Sequence, residues 1–447
     1  MKKRLGTAPR FVGEAIARVP YSARPGFASQ YVDAASRRRR FDEQASTEEK
    51  RDYIFAHIKR IVDHAYANVP FYRRYYAEAG YCPAELRSFD DIAKIPTVSK
   101  DVLRGFGVES RSYKVAGRSV TYTGGSTGEP FKFYSDARQV GNEWAHMHAI
   151  WGTLGYKQSD LLLGVALDET RAPVYYDGMR HTLVLNVHYP RETLVDAFLK
   201  IPARKRRAKY FRGYPSAIAE FLSYCEKDAP EVVDFLRENL RGSFLASEFP
   251  LPIYRKTIER VTDKPTVSWY GHAERAILAW EKTKPYLYEP FQSYGYCETT
   301  TDDSGFTSLV GTAYWNFASP LIRYKTNDGV KVVREEDGIL GAFEISDGRI
   351  GDYIVDKNGE RFSITHLNLS CRESTWALAQ TVQVEQREPG KIILWTTPRT
   401  GGKCDVEVLR KAFDFGALNL ETEFRIVERP FRASNGKVLL KISTQEP

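Results

Sequence analysis

The strongest constraint on the fold is a glycine-rich loop between two short strand-like runs. Thr123-Gly-Gly-Ser-Thr-Gly128 has three glycines and three hydroxyl residues in six positions. Ser119-Val-Thr-Tyr122 precedes it, and Phe131-Lys-Phe-Tyr134 follows it with the alternation of a strand. Glycine lets the backbone approach a ligand closely, and successive N–H groups of such a turn converge on an anion. The sequence therefore predicts a phosphate-binding loop between two strands.

Three other interpretations of this loop compete with a phosphate site. A P-loop requires a Lys-Ser/Thr pair at its end, whereas Gly128 is followed by Glu129-Pro130, so that motif fails. The Gly-x-Ser-x-Gly spacing around Ser126 matches the nucleophile elbow of hydrolases, which must pass from a strand straight into a helix. A plain hairpin loop is also compatible with the composition. The proline and the strand-like run after Gly128 disfavour the elbow, and the hairpin stays open.

The size and composition of the chain indicate a multidomain globular protein. Its 447 residues are 42% hydrophobic and 27% charged, enough for two or three domains with separate cores. No apolar run approaches the ~20 residues that span a bilayer. The five cysteines are scattered and lack metal-ligand spacing, which favours a reducing compartment and predicts a cytoplasmic location.

The net charge of +8 comes partly from two basic runs, Arg37–Arg40 and Arg204–Arg207. No nucleic-acid-binding motif accompanies them, so we expect no nucleic acid partner. Weak association with an anionic membrane surface or another polyanion is compatible with these runs, as is an ordinary solvated face.

Strand-like and helical patterns alternate along most of the chain, which predicts an α/β fold. Ser46 and Glu49 have capping-box spacing before a helix with an apolar face. In the last hundred residues a hairpin, a helix begun by Asp405 and a further strand indicate a small α+β unit. We therefore predict a large multi-sheet α/β domain over residues 1–350, which binds ATP and the acyl substrate, and a small mobile lid domain over 351–447.

Several motifs follow one another in an informative order. They are the glycine loop, Ala246-Ser-Glu248, Tyr270-Gly-x-x-Glu274, Tyr324-x-Thr-x-Asp328, Gly348-Arg-x-x-Asp352 and Gly436-Lys437. This order resembles the adenylate-forming acyl-ligase superfamily. Four further segments narrow the resemblance to its phenylacetate–CoA ligase-like branch, with capsular-polysaccharide-biosynthesis members nearest in pattern. They are Val69-Pro-Phe-Tyr72, Ile95-Pro-Thr-Val-Ser-Lys100, Phe211-Arg-Gly-Tyr-Pro-Ser216 and Pro320-Leu-Ile-Arg-Tyr324.

The resemblance implies an enzyme that joins a carboxylic acid to ATP with Mg²⁺, releases pyrophosphate, and passes the acyl group to a thiol, commonly that of coenzyme A, or to an amine. It also implies the site residues. The ATP phosphates would be surrounded by Thr123, Gly124, Gly125, Ser126, Thr127 and Gly128. The adenine would lie along Ser247 and Glu248, and the acyl and nucleotide pockets would have walls formed by Tyr270 and Gly271. Glu274 would bind Mg²⁺, Asp328 would hold the ribose with the help of Arg349, and Lys437 would bridge the carboxylate and the α-phosphate. Thr127, Glu274 and Lys437 are the expected catalytic residues.

Each of these residues also has an ordinary structural interpretation. Taken alone, Glu274 is compatible with a surface acid or a partner of Arg275. Asp328 is compatible with part of a hairpin turn, and Lys437 is compatible with an ordinary exposed lysine. The chain also departs from the family pattern, with Glu129 in place of a frequent lysine and His272-Ala-Glu274 after Tyr-Gly. The segment Trp144-Ala-His-Met-His148 also lacks the glycine- and tyrosine-rich pattern of phenylacetate enzymes, which argues against phenylacetate as the substrate. The competing hypotheses are a hydrolase that uses Ser126 with a downstream Asp and His366, and an inactive scaffold of a polysaccharide pathway.

Overall fold

The structure is a computed structural model that describes residues 9–26, 28–123, 131–349, 353–365, 368, 373–399, 405–413, 418–433 and 436–442. The α-helices of these parts are α1 (Arg10–Arg18), α2 (Ala28–Arg39), α3 (Thr47–Asn68), α4 (Pro70–Glu78), α5 (Lys100–Arg104), α6 (Arg138–Gly152), α7 (Arg191–Leu199), α8 (Ala203–Arg206), α9 (Pro215–Asp228), α10 (Pro230–Asn239), α11 (Pro252–Thr262), α12 (Glu373–Leu378) and α13 (Val406–Ala412). Turns of 3₁₀ helix cover Tyr21–Ala23, Pro83–Glu85 and Phe89–Lys94, and a π-helical turn covers Arg40–Gln44.

The strands of the same parts are β1 (Ser119–Tyr122), β2 (Lys132–Ser135), β3 (Leu162–Ala166), β4 (Val174–Asp177), β5 (Thr182–Asn186), β6 (Tyr210–Gly213), β7 (Gly242–Leu245), β8 (Thr266–Gly271), β9 (Leu278–Trp280), β10 (Glu289–Pro290), β11 (Tyr296–Thr301), β12 (Thr307–Thr312), β13 (Tyr324–Glu336), β14 (Ile339–Arg349), β15 (Tyr353–Val355), β16 (Arg361–Ser363), β17 (Ala379–Glu388), β18 (Lys391–Pro398), β19 (Glu421–Ile426) and β20 (Lys441–Ile442). Helices and several sheets thus occur together, and the predicted α/β fold class is confirmed.

The chain forms two compact units, each assembled from separate segments. Unit 1 consists of Met1–Val19, Leu154–Ser268 and Ser346–Pro447. Unit 2 consists of Pro20–Thr153 and Trp269–Ile345. The predicted division at 350/351 falls on residues outside the described parts and stays a prediction.

The sheet of unit 1 has the strand order β4-β5-β3-β6-β7-β8, in which only β4 is antiparallel to its neighbour. Strand β5 is buried along its whole length, as expected of a parallel strand covered on both faces. Because parallel strands end at the same edge, the residues after β6 and after β7 emerge side by side. These residues are Tyr214–Ser216 and Ser247-Glu248.

The last segment of unit 1 contains a second sheet with the order β19-β18-β17-β20. Strands β17 and β18 form the predicted hairpin around Pro389-Gly390. The Asp405 side chain caps α13 by accepting a hydrogen bond from the Val408 N–H at 2.8 Å. One apolar core joins this segment to Leu154–Ser268, because side chains of β17, β18 and α13 pack in the same cluster as those of β3, β5 and α9.

Unit 2 is built on the long helix α3 and an antiparallel sheet with the order β11-β12-β13-β14. The predicted capping box begins α3: the Ser46 N–H donates to Glu49 at 2.7 Å, and the Glu49 N–H donates to the Ser46 hydroxyl at 3.2 Å. The face of α3 that carries Ile54, Ile58 and Ile61 is buried, as its periodicity predicts. In the described residues no helix combines the length and apolar character needed to cross a membrane.

Candidate active site

Strands β1 and β2 of unit 2 bring the two ends of the glycine loop together. Tyr122 lies opposite Lys132 in this antiparallel pair. The buried Thr123 continues the pairing: its N–H donates to the Phe131 carbonyl at 3.0 Å, and its hydroxyl accepts the Phe131 N–H at 3.2 Å. The predicted strands on either side of the loop are therefore present. Gly124, Gly125, Ser126, Thr127 and Gly128 lie outside the described residues, so their contact with phosphate stays a prediction.

The strand after the loop also bears on the hydrolase hypothesis. A nucleophile elbow passes from a strand directly into a helix. The described chain resumes at Phe131 and forms β2, and the first helix described after the loop, α6, begins at Arg138. This order disfavours the elbow; Ser126 and His366 themselves lie outside the described parts, so the hydrolase hypothesis is not tested at those residues.

Glu274 is the centre of a polar cluster in unit 2. It lies in the turn between β8 and β9, which is closed by the Arg275 N–H donating to the His272 carbonyl at 3.0 Å. The turn directs Glu274 inward, where the side chain is 6% exposed. One carboxylate oxygen accepts the Tyr324 hydroxyl at 3.0 Å and lies 3.8 Å from the Lys100 ammonium group. The other lies 3.2 Å from His272 Nδ1.

These contacts keep Glu274 ionised. Burial raises the pKa of its carboxyl group, but the contact with His272 and the charge of Lys100 outweigh burial and lower the pKa to about 2. The surface interpretation of Glu274 is wrong, and so is its pairing with Arg275, because Arg275 forms its ion pair with Glu143.

Tyr270 and Asp328, which the resemblance assigned to one nucleotide pocket, are in contact. The Tyr270 hydroxyl donates to an Asp328 carboxylate oxygen at 2.5 Å, although 58 residues separate them. Asp328 does not lie in a hairpin turn, so that interpretation is wrong. It lies within β13, where the pairing with β12 is irregular and Asn327 has a φ of 62°. This bulge bends the strand and changes the direction of its side chains locally, as bulges next to ligand sites do.

The two groups of contacts in unit 2 are continuous. The His272 ring lies between the rings of Tyr270 and Tyr324, with centroid distances of 6.2 and 6.3 Å. A row of polar groups therefore extends from Asp328 through Tyr270 and His272 to Glu274. Gly271 adjoins this row, and a Cβ atom there would lie 3.4 Å from Leu278.

Unit 1 carries the remaining predicted residues that the structure describes. Ser247 has a φ of 71°, a left-handed conformation in the bend that follows β7. The next residue, Glu248, accepts the Ser216 N–H at 3.3 Å and the Val438 N–H at 2.7 Å. Burial of the Glu248 carboxyl group raises its pKa. Its carboxylate thus holds two backbone segments together, and contact of Ser247 and Glu248 with adenine stays a prediction.

Lys437 follows Gly436 in a tight turn of unit 1. The Ala433 N–H donates to the Lys437 carbonyl at 2.8 Å, and the Gly436 N–H donates to the Ala433 carbonyl at 2.8 Å. Gly436 has a φ of +91°, and a Cβ atom there would meet Leu167 at 3.0 Å and Tyr214 at 3.3 Å. The turn therefore lies against the residues that follow β3 and β6.

Two contributors to the site were not predicted from the sequence. Lys100 and Tyr324 are the last residues of two segments that carry the family resemblance. Nothing in the sequence predicted that either side chain contacts Glu274. Arg349 was predicted; its backbone ends β14, and its side chain lies outside what the structure describes.

Sequence comparison relates the chain to enzymes of one activity. No family model matches it. The chain is 37% identical over 369 residues to a phenylacetate–coenzyme A ligase of Aromatoleum evansii, covering 77% of this chain and 80% of that protein. It is 24% identical over 338 residues to the phenylacetate–coenzyme A ligase of Escherichia coli strain K12, covering 70% and 74%.

Comparison with solved structures supports the same fold at lower identity. A 2-hydroxyisobutyryl-CoA ligase in the postadenylation state, in complex with R3-HIB-AMP, matches with a TM-score of 0.68 and 17% identity over 91% of this chain and 92% of that one. A GH3.15 acyl acid amido synthetase matches with a TM-score of 0.51 and 11% identity, covering 89% and 91%. The identity and coverage of the Aromatoleum enzyme establish the relationship: the chain belongs to the phenylacetate–coenzyme A ligase family of adenylate-forming ligases.

Proposed function

We propose that the protein activates a carboxylic acid with ATP and transfers the acyl group to the thiol of coenzyme A. In the first step a carboxylate oxygen bonds to the α-phosphorus, and the bond from that phosphorus to the pyrophosphate leaving group breaks. In the second step the thiol sulfur bonds to the acyl carbon, AMP leaves, and the thiol proton passes to solvent.

The observation that carries this proposal is the continuous row of polar groups in unit 2. Asp328, Tyr270, His272 and Glu274 are separated in sequence by up to 58 residues and lie in one chain of contacts. A carboxylate such as Asp328 has acceptors for two ribose hydroxyls, and Tyr270 holds it in place. Arg349 would assist at the ribose, and the loop from Thr123 to Gly128 would hold the phosphates through its N–H groups.

Lys437 would supply the mobile positive charge of the first step. Two anions, the carboxylate and the α-phosphate, must approach each other, so the barrier is chiefly electrostatic. An ammonium group between them neutralises the charge that develops. Two contacts support a defined position for this lysine. Gly436 before it packs closely against neighbouring residues, and Glu248 accepts a hydrogen bond from the N–H of Val438 after it.

Glu274 is suited to one Mg²⁺ ion shared with ATP. Mg²⁺ is usually bound by one or two carboxylates, with substrate phosphates and water completing its shell. Glu274 offers one buried, ionised carboxylate, and within the described residues no group of three or more His, Cys, Asp or Glu side chains forms a metal cage. The donor set therefore fits an ion held jointly with phosphates, and that ion would neutralise phosphate charge.

The acid substrate is proposed to differ from phenylacetate. The support is the segment Trp144-Ala-His-Met-His148, which lacks the glycine- and tyrosine-rich pattern of phenylacetate enzymes, together with the departures at Glu129 and His272-Ala-Glu274. A role in capsule or exopolysaccharide synthesis, which the sequence resemblance implies, would call for an aromatic or sugar-linked acid. An amine acceptor is the alternative to coenzyme A.

An ATP–pyrophosphate exchange assay with a panel of acids tests the proposal. We expect exchange that depends on one class of acid, followed by an acyl-CoA product detectable by mass spectrometry when coenzyme A is added. An acylated amine in place of a thioester would correct the acceptor. No exchange with any acid and no heat of nucleotide binding would overturn the proposal and favour an inactive scaffold.

A further inference from the structure

The turn that carries Lys437 is tied to the rest of unit 1 by a three-residue ion bridge. Arg432, five residues before Lys437, donates to the Gly436 carbonyl at 2.9 Å. The same guanidinium group donates to one carboxylate oxygen of Glu220, on helix α9, at 2.5 Å. Arg432 therefore connects the peptide group that precedes Lys437 directly to α9.

Each of the two carboxylate oxygens of Glu220 accepts a hydrogen bond from a different arginine. Arg191, at the start of α7, contacts the oxygen that Arg432 leaves unoccupied. The side chains of Arg432, Glu220 and Arg191 are 12%, 15% and 21% exposed. Hydrogen bonds between ionised groups are the stronger ones, and partial burial shields them from salt. Because Arg191 fixes Glu220 from one side, Glu220 presents its other oxygen to Arg432 in a defined place.

The second tie is the contact of Glu248 with the Val438 N–H. Residues 432 and 438 also form an isolated antiparallel bridge, which closes the turn at its base. One side of the turn is thus held through Arg432 and the other through Val438, with Lys437 between them. Both anchors, Glu220 and Glu248, belong to the segment Leu154–Ser268, whereas the turn belongs to Ser346–Pro447.

We propose that Glu220 is a positioning residue for acyl-adenylate formation, which acts through Arg432 to hold the Lys437 turn in the place where adenylation needs it. This proposal rests on the function proposed above for Lys437. Glu220 does not touch the reacting groups. Its bridge is partly exposed and reversible, so it favours the adenylating arrangement without preventing the turn from leaving before acyl transfer.

Glu220→Gln tests the proposal, with Glu226→Gln as the matched control. Glu226 lies on the same helix and forms a two-point ion pair with Arg260, so its substitution breaks an ion pair of α9 that does not involve the turn. This pair is more exposed than the Glu220 bridge, at 39% and 55% for the two side chains. We expect Glu220→Gln to slow ATP–pyrophosphate exchange at least tenfold, while the single-turnover rate of thioester formation from preformed acyl-adenylate is unchanged or faster. Glu220→Asp, which keeps the charge, should recover part of the lost rate, and Glu226→Gln should match the wild type in both half-reactions.

A readout without substrate separates this proposal from the proposed function. Hydrogen–deuterium exchange of peptides covering residues 431–442 should be faster in Glu220→Gln than in the wild type and unchanged in Glu226→Gln. If the wild type shows no pyrophosphate exchange with any acid, the proposed function fails, while this measurement still reports on the bridge. Wild-type behaviour of Glu220→Gln in both assays, or an equal loss in both half-reactions, would overturn the positioning role.

Discussion

At the scale of single residues, Glu274 is the most sharply defined group of the site. Its pKa of about 2 means that it stays ionised throughout the pH range in which the protein would work. Glu274→Gln keeps the shape and removes the charge. We expect it to lower the rate of adenylation by about 10²-fold or more and to raise the Mg²⁺ concentration needed for half-maximal rate.

The Mg²⁺ dependence is the decisive part of that measurement. Pyrophosphate exchange measured over a series of Mg²⁺ concentrations checks it. If Glu274→Gln lowers the rate at every concentration by the same factor, Glu274 supports the pocket without holding the ion.

The hydroxyl of Tyr270 orients Asp328. Tyr270→Phe removes a hydrogen bond to a carboxylate, a contribution of about 1.5–3 kcal/mol. We expect the KM for ATP to rise by about tenfold or more, with a smaller effect on kcat. Tyr314→Phe is the control, because within the described part of unit 2 the buried Tyr314 hydroxyl has no hydrogen-bond partner. Equal changes in the two variants would mean that Tyr270 acts only through packing.

Lys437 should matter for chemistry more than for binding. Lys437→Ala removes the charge expected between the two anions, so acyl-adenylate formation should fall far more than ATP affinity. Isothermal calorimetry and pyrophosphate exchange on the same preparation measure the two quantities. An equal loss of both would identify Lys437 as a structural residue.

Motif order in the sequence was sufficient to name Glu274, Tyr270 and Asp328, but not their neighbours. Lys100 and Tyr324 approach Glu274 from parts of the chain 174 and 50 residues away. A contact of that kind is decided by tertiary packing, and a single sequence contains no local signal for it. The bridge of Glu220 with Arg432, which are 212 residues apart, is unpredictable for the same reason.

At the scale of secondary structure, the turn at Gly436 depends on the absence of a side chain. Gly436→Ala would strain a left-handed backbone and push against Leu167 and Tyr214. Gly359→Ala is the matched control, because Gly359 has a φ of +85° with nothing within 4 Å of its added Cβ. Both variants should lose about 1 kcal/mol of stability through the backbone. Only Gly436→Ala should slow adenylation, and a similar rate in the two variants would contradict a precise placement of the turn.

The regular elements were predictable where local chemistry decides them. The capping box of Ser46, the cap of Asp405 and the strands beside the glycine loop appear within a residue or two of the expected places. The bulge at Asn327 was not predictable. It arises from the pairing of β13 with β12 and from the Thr326 hydroxyl donating to the Leu309 carbonyl. The sequence Asn327-Asp-Gly329, which is typical of a hairpin turn, therefore lies within a strand.

At the scale of the whole molecule, buried histidines tie stability to pH. Burial lowers the pKa of His57 to about 4 and those of His146 and His148 to about 3. Above pH 6.5 these rings are neutral in the folded and the unfolded chain alike. Between pH 6.5 and about 3 the unfolded chain binds protons that the folded chain does not, so the free energy of unfolding falls as the pH falls.

Urea unfolding at several pH values between 7.5 and 5 measures this loss. His146 is fully buried between the Asn142 carbonyl and the Ser293 hydroxyl, and His146→Gln should reduce the slope by up to ~1.4 kcal/mol per pH unit. His188→Gln, which makes the same replacement at an exposed position, is the control for the substitution itself. A slope that His146→Gln does not alter would assign the pH dependence to other groups.

The assembly of each unit from separate segments also bears on the order in which the protein can fold during synthesis. Every residue of unit 2 has been made once the ribosome passes Ile345. The core of unit 1 includes side chains from Ser346–Pro447, so it cannot close until the last part of the chain has emerged. Until then, apolar side chains of its parallel strands remain exposed, because the segment that packs against them has not been synthesised. The nascent chain is therefore most exposed to aggregation and to chaperone binding late in translation, while the contacts of Glu274 and Asp328 within unit 2 can already be formed.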